Sequence, residues 1–288
     1  MKISIIMTSF NYAHYISEAI ESIIAQTYSD WELIIVDDGS SDDSLNIIKR
    51  YAESDSRIKL YTHQDNSNKG LAESIKLGLK HSTSPWVAFL ESDDFWKNNA
   101  LEKMVSCLKF SPDLVFSCPE VIGETSQAEC LKKLTEQQYP KYYDINNSGF
   151  IEKFADLIGQ INIIPTFSVV MVKKELLDRC CFNSVIKPYL DYYLWAQLAN
   201  NRVYYLCEKI VCWRAHSGSY ITKNKFNFVQ NLLFRSQIHY NVLKVKHPIL
   251  AIVKTLNFIR VRIFYVKISD GFFSIYITDK LILRVRIK

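Results

Sequence analysis

The chain has 288 residues, 48% hydrophobic and 23% charged, with 8 Gly and 7 Pro; this excludes a disordered, collagen-like or linker-dominated chain and leaves room for one large domain with an appended module. The formal charge of +5 is uneven. From Lys244 onward ten Lys and Arg stand against Asp270 and Asp279, so that segment carries +8 and the first 243 residues carry −3.

In chain order, residues 2–7 (KISIIM) predict a strand, and 13–26 a helix with apolar Ile16, Ala19, Ile20, Ile23 and Ile24 at three- and four-residue spacing. Residues 31–38 (WELIIVDD) predict a second strand, and 42–53 a helix opened by Ser41 as N-cap. Residues 57–63 predict a third strand, 70–81 a helix, and 86–94 (WVAFLESDD) a fourth strand ending in acids. A helix over 99–110 and a fifth strand over 113–122 follow. Residues 123–150 are polar and read as a loop or mobile lid. Beyond them, 168–172 predicts a strand, 189–199 a helix, and VYYLC with IVCWRAH a strand pair turning at Glu208-Lys209. Helices are expected from Lys225 onward, while FFSIYI and LILRVRIK fit helix or strand equally.

The β-α-β-α alternation predicts an α/β fold, a mainly parallel sheet flanked by helices. Ligands of such sheets bind outside the carboxyl ends of the strands. Two acidic clusters sit there: Asp37-Asp38, then Glu91 with Asp93 and Asp94. Crowding five carboxylates into one crevice is costly through like-charge repulsion, and a hard divalent cation removes that cost. Mg²⁺ or Mn²⁺ takes one or two carboxylates plus substrate phosphates, which points to nucleoside diphosphate chemistry. The plain alternative is a solvated acidic rim. There is no GxGxxG after the first strand and no GxxxxGK[ST], which disfavours a dinucleotide dehydrogenase and a P-loop NTPase. Phosphate charge then falls to a metal and to Lys69 of NKG.

The seven cysteines include no CxxC pair and lie mostly in apolar runs, as expected of reduced, buried thiols. The apolar start, Ile3 to Met7, is too short for a signal-peptide core, and there is no 18-residue uncharged apolar run. A cytoplasmic catalytic part is the expectation.

The series ISIIMTSFNY, IIVDDGSSD, NKGLAESIKLGL and VAFLESDD, in that order and spacing, resembles the family 2 glycosyltransferases of the GT-A fold. LDYYLWAQLANNRVYYLCEKIVCWRAHSGS resembles that family's acceptor-side segment, so the likeness covers roughly residues 1–220. It implies a GT-A domain over 1–220, with a nucleotide-sugar half (1–110) and an acceptor half (111–220), and a basic C-terminal helical extension over 221–288. By position, Thr8, Ser9 and Phe10 match the loop that holds the nucleoside base. Asp38 matches the acid that hydrogen-bonds the base, and Asp37 would fix the loop or ribose. Asn11, Ser40, Asn68, Lys69, Gly70, Glu91, Ser92 and Arg214 complete the expected donor contacts. Asp93 and Asp94 match the metal-binding D-x-D region, where Glu91 replaces the more usual Asp, and His216 of Arg214-Ala-His216 would complete the metal shell. Asp191 matches the catalytic Asp of an E-D pair whose Glu is replaced by Leu190. A carboxylate opening a helix also has a purely structural reading, complementing the helix dipole.

The expected reaction is a single inverting displacement, with Asp191 as general base toward an acceptor hydroxyl. The expected partners are a nucleotide-sugar donor, UDP-linked as in relatives with this pattern, and a glycan or lipid-linked acceptor of surface polysaccharide synthesis. IRVRIFYVK interleaves basic and aromatic residues with aliphatic ones and suits an anionic membrane surface, with nucleic acid as the competing partner and a plain basic face as the bland reading. The rival classes are a nucleotidyltransferase and a catalytically silent binding module of the same fold.

Overall fold

A computed structural model describes residues 1–123, 126–182, 189–216, 218 and 238, with the backbone of three strands between 264 and 286. The chain divides into two compact units, Met1–Lys225 and Phe226–Lys288.

The first unit begins β1 (Ile3–Ser9), α1 (Ile16–Ile24), β2 (Trp31–Asp37), α2 (Ser44–Ser54), β3 (Ile58–Thr62), α3 (Leu71–His81), β4 (Trp86–Phe89), β5 (Phe95–Trp96) and α4 (Ala100–Ser106). It continues with β6 (Leu114–Ser117), β7 (Glu120–Ile122), α5 (Ser126–Lys133), β8 (Gly149–Phe150), α6 (Phe154–Gln160), β9 (Val170–Lys173), α7 (Lys174–Leu177), α8 (Leu190–Gln197), β10 (Val203–Leu206) and β11 (Val211–Arg214). An eight-stranded sheet runs β3-β2-β1-β4-β9-β6-β10-β8. It is mainly parallel, with β9 antiparallel to β4 and β6, and β8 antiparallel to β10. The central strands are covered on both faces, which is why they read as continuous apolar runs. Ile3, Ile5, Met7, Leu33, Ile34, Ile35 and Val36 are fully buried, each contributing roughly 1.5–3 kcal/mol.

Two features of this sheet create the site. β1 and β2 pair in register to their ends, Ser9 opposite Asp37, so both loops leave at one level. The chain then winds away from β1 in two directions, to β2 on one side and β4 on the other. The crevice belongs at that switch point. At the opposite, amino end of these strands Glu32, 1% exposed, accepts from Ser4 Oγ (2.6 Å), Thr83 Oγ1 (2.6 Å), Thr83 N–H (2.9 Å) and Lys2 Nζ (3.0 Å). Burial alone would raise its carboxyl, but the bonds from Ser4, Thr83 and Lys2 outweigh burial and bring it down to about 2.

Several expectations change. The predicted fifth strand splits into β6 and β7, which lie in different sheets. Pro119 stands at the break, where a residue without an N–H cannot continue a ladder. VYYLC and IVCWRAH do not pair with each other. β10 lies between β6 and β8, whereas β11 lies between β5 and β7 in a second, three-stranded sheet. The polar stretch read as a loop contains α5, continued by helical turns through Lys141. Its inner stripe is Ala128, Leu131, Thr135 and Tyr139, and Ala128 and Leu131 pack on Val121, Trp213 and Ala215. Ser41 does not cap α2. The Ser44 N–H goes to Asp42 Oδ1 at 3.0 Å. All seven cysteines are free, as expected, but only Cys107, Cys118 and Cys212 are buried, while Cys130 and Cys181 are exposed.

In the second unit, the described part of the extension expected to be helical is an antiparallel sheet of β12 (Phe264–Ser269), β13 (Phe272–Ile277) and β14 (Lys280–Arg286). FFSIYI and the start of LILRVRIK are thus strands, as their β-branched and aromatic content favours. The helices expected between 225 and 263 lie outside the described residues, apart from helical residue 238.

Candidate active site

A cavity of about 580 Å³ opens at the carboxyl ends of β1, β2 and β4. Its wall includes Thr8, Ser9, Phe10, Asn11, Tyr12, Asp38, Asn68, Gly70, Glu91, Ser92, Asp93 and His216. Most of the donor-contact residues expected from sequence therefore meet here. Asp37, Ser40, Lys69, Asp94, Asp191 and Arg214 do not line it: Asp191 lies on α8, and the others are engaged in bonds described below.

At one end the loop after β1 is stitched to the loop after β2. Asn11 adopts a left-handed φ of 59°, and its Oδ1 accepts from the Ser41 N–H at 2.7 Å. Its own N–H donates to Ser40 Oγ at 3.0 Å. Asp37, 1% exposed, accepts from Ser40 N–H (2.9 Å) and Oγ (2.6 Å), so both side chains are spent on folding the turn. Asp38 instead faces the cavity. It accepts from the N–H of Lys69 at 2.7 Å and of Gly70 at 2.9 Å, and His63 Nε2 lies 3.3 Å away, itself 2.9 Å from Ser74 Oγ. The 66–70 loop crosses so closely that a Cβ on Gly39 (φ +79°) would stand 2.7 Å from Asn66 O. Lys69 Nζ turns outward to Asp65 at 2.6 Å. Phe10 is 43% exposed at the rim, and Ser9 Oγ is buried in the wall with no hydrogen-bond partner. An exposed aromatic, a carboxylate anchored by backbone N–H groups and an orphaned hydroxyl are the features a nucleoside would satisfy.

At the other end, Asp93 Oδ2 and His216 Nε2 are 3.1 Å apart. The Tyr12 phenol also bonds Asp93, and burial, then the charges of Asp93 and Glu91, pushes that phenol far up. Tyr15 lies against the His216 ring at 4.8 Å. Asp94 points elsewhere. It is 2% exposed, and its carboxylate accepts from Ser168 Oγ (2.6 Å) and from the Arg214 N–H (2.9 Å). It therefore ties the acidic turn to the segment just before β9 and to β11. Burial and the charges of Asp93 and Glu91 raise its carboxyl well above the usual range. Arg214 clamps the same turn, with Nε donating to the Asp93 carbonyl at 2.9 Å and Nη2 to Glu18. Its guanidinium lies 5.0 Å from the Tyr15 ring and 5.5 Å from that of Phe95.

Among the described residues, no group of three or more His, Cys, Asp and Glu is gathered as a self-sufficient metal cage. The donor pair Asp93 and His216 nevertheless fits a hard divalent cation that takes its remaining ligands from substrate phosphates and water.

Behind Glu91, outside the cavity lining, lies α8, whose Asp191 acts on Glu91 through its charge. Asp191 stands in its first turn, part-exposed, and accepts from Asn162 Nδ2 at 3.1 Å. Burial raises its carboxyl to about 7, against the opposing backbone N–H of Tyr192 and the Asn162 amide. Glu91 accepts from Thr166 Oγ1 and is pushed up to about 8, by burial first, then by the charges of Asp93 and Asp191. Leu190 is 5% exposed, a core residue where the resemblance has an acid. Asn162, Thr166, Ser168, Tyr12 and His63 are site residues that sequence reasoning missed, since none lies in an acidic cluster.

The description "Glycosyl transferase family 2" matches residues 4–178, more than half of the chain, which therefore belongs to the family 2 glycosyltransferases. A relative from Escherichia coli, UDP-Glc:alpha-D-GlcNAc-diphosphoundecaprenol beta-1,3-glucosyltransferase WfgD, is 31% identical over 266 residues, 89% of this chain and 92% of that protein. The crystal structure of S. aureus TarS in complex with UDP-GlcNAc superposes with a TM-score of 0.67 at 18% identity, over 90% of this chain and 72% of that one. A mannosyltransferase from Pyrobaculum calidifontis in complex with GDP-Man and Mn²⁺ superposes with a TM-score of 0.60 at 17% identity, over 90% and 70% of the two chains. The protein is a glycosyltransferase of the GT-A fold.

Proposed function

We propose that the protein transfers a hexose or N-acetylhexosamine, with inversion, from a UDP-sugar to a hydroxyl of a lipid-linked glycan in surface polysaccharide synthesis. The carrying observation is the layout of the crevice. Nucleoside-type contacts around Asp38 lead to the Asp93–His216 pair and to Glu91, which feels the charge of Asp191 behind it, whose carboxyl sits near 7. The UDP-linked donor and lipid-linked acceptor are supported by the WfgD relative.

In this reading Phe10, Thr8, Ser9 and Asp38 hold the nucleoside, and Asn68 and Gly70 line its path. Asp93 and His216 would hold Mg²⁺ or Mn²⁺, which when bound neutralises charge on the departing diphosphate. Asp94 and Arg214 keep the Asp93 turn in place. Asp191, ionised, accepts the proton of the acceptor hydroxyl as its oxygen attacks the anomeric carbon opposite the leaving group. A carboxylate with a pKa near the working pH is a stronger base than an ordinary Asp and still ionises.

No helix among the described residues is long and apolar enough to cross a membrane. A lipid-linked acceptor would be reached from the cytoplasmic face, with the basic 221–288 segment on anionic lipid. Removing that segment and finding membrane recovery unchanged would end this part of the proposal.

The test is a screen of UDP- and GDP-sugars with Mg²⁺ or Mn²⁺ and lipid-linked acceptors. Acceptor-dependent release of UDP, lost in Asp191→Asn, supports transfer. Pyrophosphate released from a nucleoside triphosphate indicates a nucleotidyltransferase, and donor binding with no turnover indicates a silent binding module.

A further inference from the structure

Asp191 is anchored from a segment with no acidic motif. Asn162 follows α6, fixed by the fully buried Ile163 and Ile164. Its carbonyl accepts from Tyr139 OH at 2.9 Å, and its Oδ1 from the Ile164 N–H at 3.3 Å. With Oδ1 engaged, the amide presents Nδ2 to Asp191 Oδ2 at 3.1 Å, and a flip would sacrifice both bonds. Resting on Asp191 as the base, we propose that Asn162 is its positioning residue, a neutral donor that orients the carboxylate toward the acceptor and favours its ionised form.

The choice of an amide has a chemical reason. Among the described residues, the charge of Asp191 acts on Glu91 from the turn after β4 and on Tyr139 from the turns after α5. Burial opposes ionisation of Asp191. A Lys or Arg at position 162 would reverse this too strongly and leave a weak base. One neutral N–H moderates the effect without abolishing basicity.

The experiment is kcat against pH at saturating donor, with Mn²⁺ and acceptor, for wild type, Asn162→Ala and Asn162→Asp. In Asn162→Ala the ascending limb is expected to move up by about one pH unit, with kcat below the limb falling about tenfold and donor KM unchanged. Asn162→Asp keeps the shape and can still accept from the Ile164 N–H, so it tests the idea even where the alanine variant folds poorly. It is expected to move the limb further, since it replaces a donor by a charge. An unmoved limb with kcat lowered equally at all pH, or wild-type behaviour of Asn162→Asp, overturns the proposal. A wild type that turns over without a limb assignable to Asp191 overturns the parent reading instead.

Discussion

Asp93 and His216, 123 positions apart, meet with Oδ2 and Nε2 3.1 Å from each other, while Asp94, next in sequence, turns its carboxylate to Ser168 and Arg214. The two adjacent acids thus divide the work between cavity and scaffold. Replacing Asp93 or His216 by Ala is expected to raise the Mn²⁺ concentration for half-maximal activity about 10- to 100-fold, with unfolding little changed. Titrating metal into each variant checks it.

Asp94→Ala is expected to act in the opposite sense. It leaves the Ser168 hydroxyl and the Arg214 N–H buried without their acceptor, a loss of about 2 kcal/mol in denaturant unfolding. Asp94→Asn keeps an acceptor and should lose less, and the metal requirement of the active fraction should stay at the wild-type value.

Glu32 predicts acid behaviour far from the site. Its carboxyl is brought from 4.5 to about 2 in the folded chain. The folded state therefore binds fewer protons than the unfolded one in that window, and the stability this group supplies is full above 4.5 and lost as pH falls toward 2. Glu32→Gln is expected to cost about 1–3 kcal/mol at neutral pH. The gap to wild type should close on acidification in urea melts taken from pH 6 to 2.5.

For Asp191 the sign is reversed. Its carboxyl is raised from 3.8 to about 7, so between those values the folded state holds the extra proton, and stability falls as pH rises through the window. Asp191→Asn should unfold later than wild type at pH 8, by about 1–2 kcal/mol, and be inactive there. Equal stability at pH 5 and 8 in both proteins would contradict this.

The first half of the fold was legible because β1, β2 and β4 are buried on both faces and the strands alternate with amphipathic helices, so composition and period agree. Strand partners in the second half were not, since β9, β10 and β11 are all short apolar runs and nothing local says which sheet takes each. α5 and the helical turns that continue it were missed because their buried stripe includes Ala128, Thr135 and Tyr139, which are small or carry a polar group. In the site, strand-end position pointed to Asp38 and Asp93 and the family resemblance to His216, which share one cavity, but neither could tell that Asp37 and Asp94 would be consumed by neighbouring hydrogen bonds. Asn162 was invisible because its role comes from a contact across 29 positions, with no charge to flag it.

The central claim is that Asp191 is the base in a transfer from a UDP-sugar bound between Asp38 and Asp93. It is tested most directly by wild type and Asp191→Asn side by side, with UDP-glucose, Mn²⁺ and a diphosphate-lipid-linked GlcNAc acceptor, following both donor binding and UDP release. The account predicts equal donor binding, acceptor-dependent UDP release by wild type, and a loss of at least about a hundredfold in Asp191→Asn. Undiminished turnover by Asp191→Asn would contradict it.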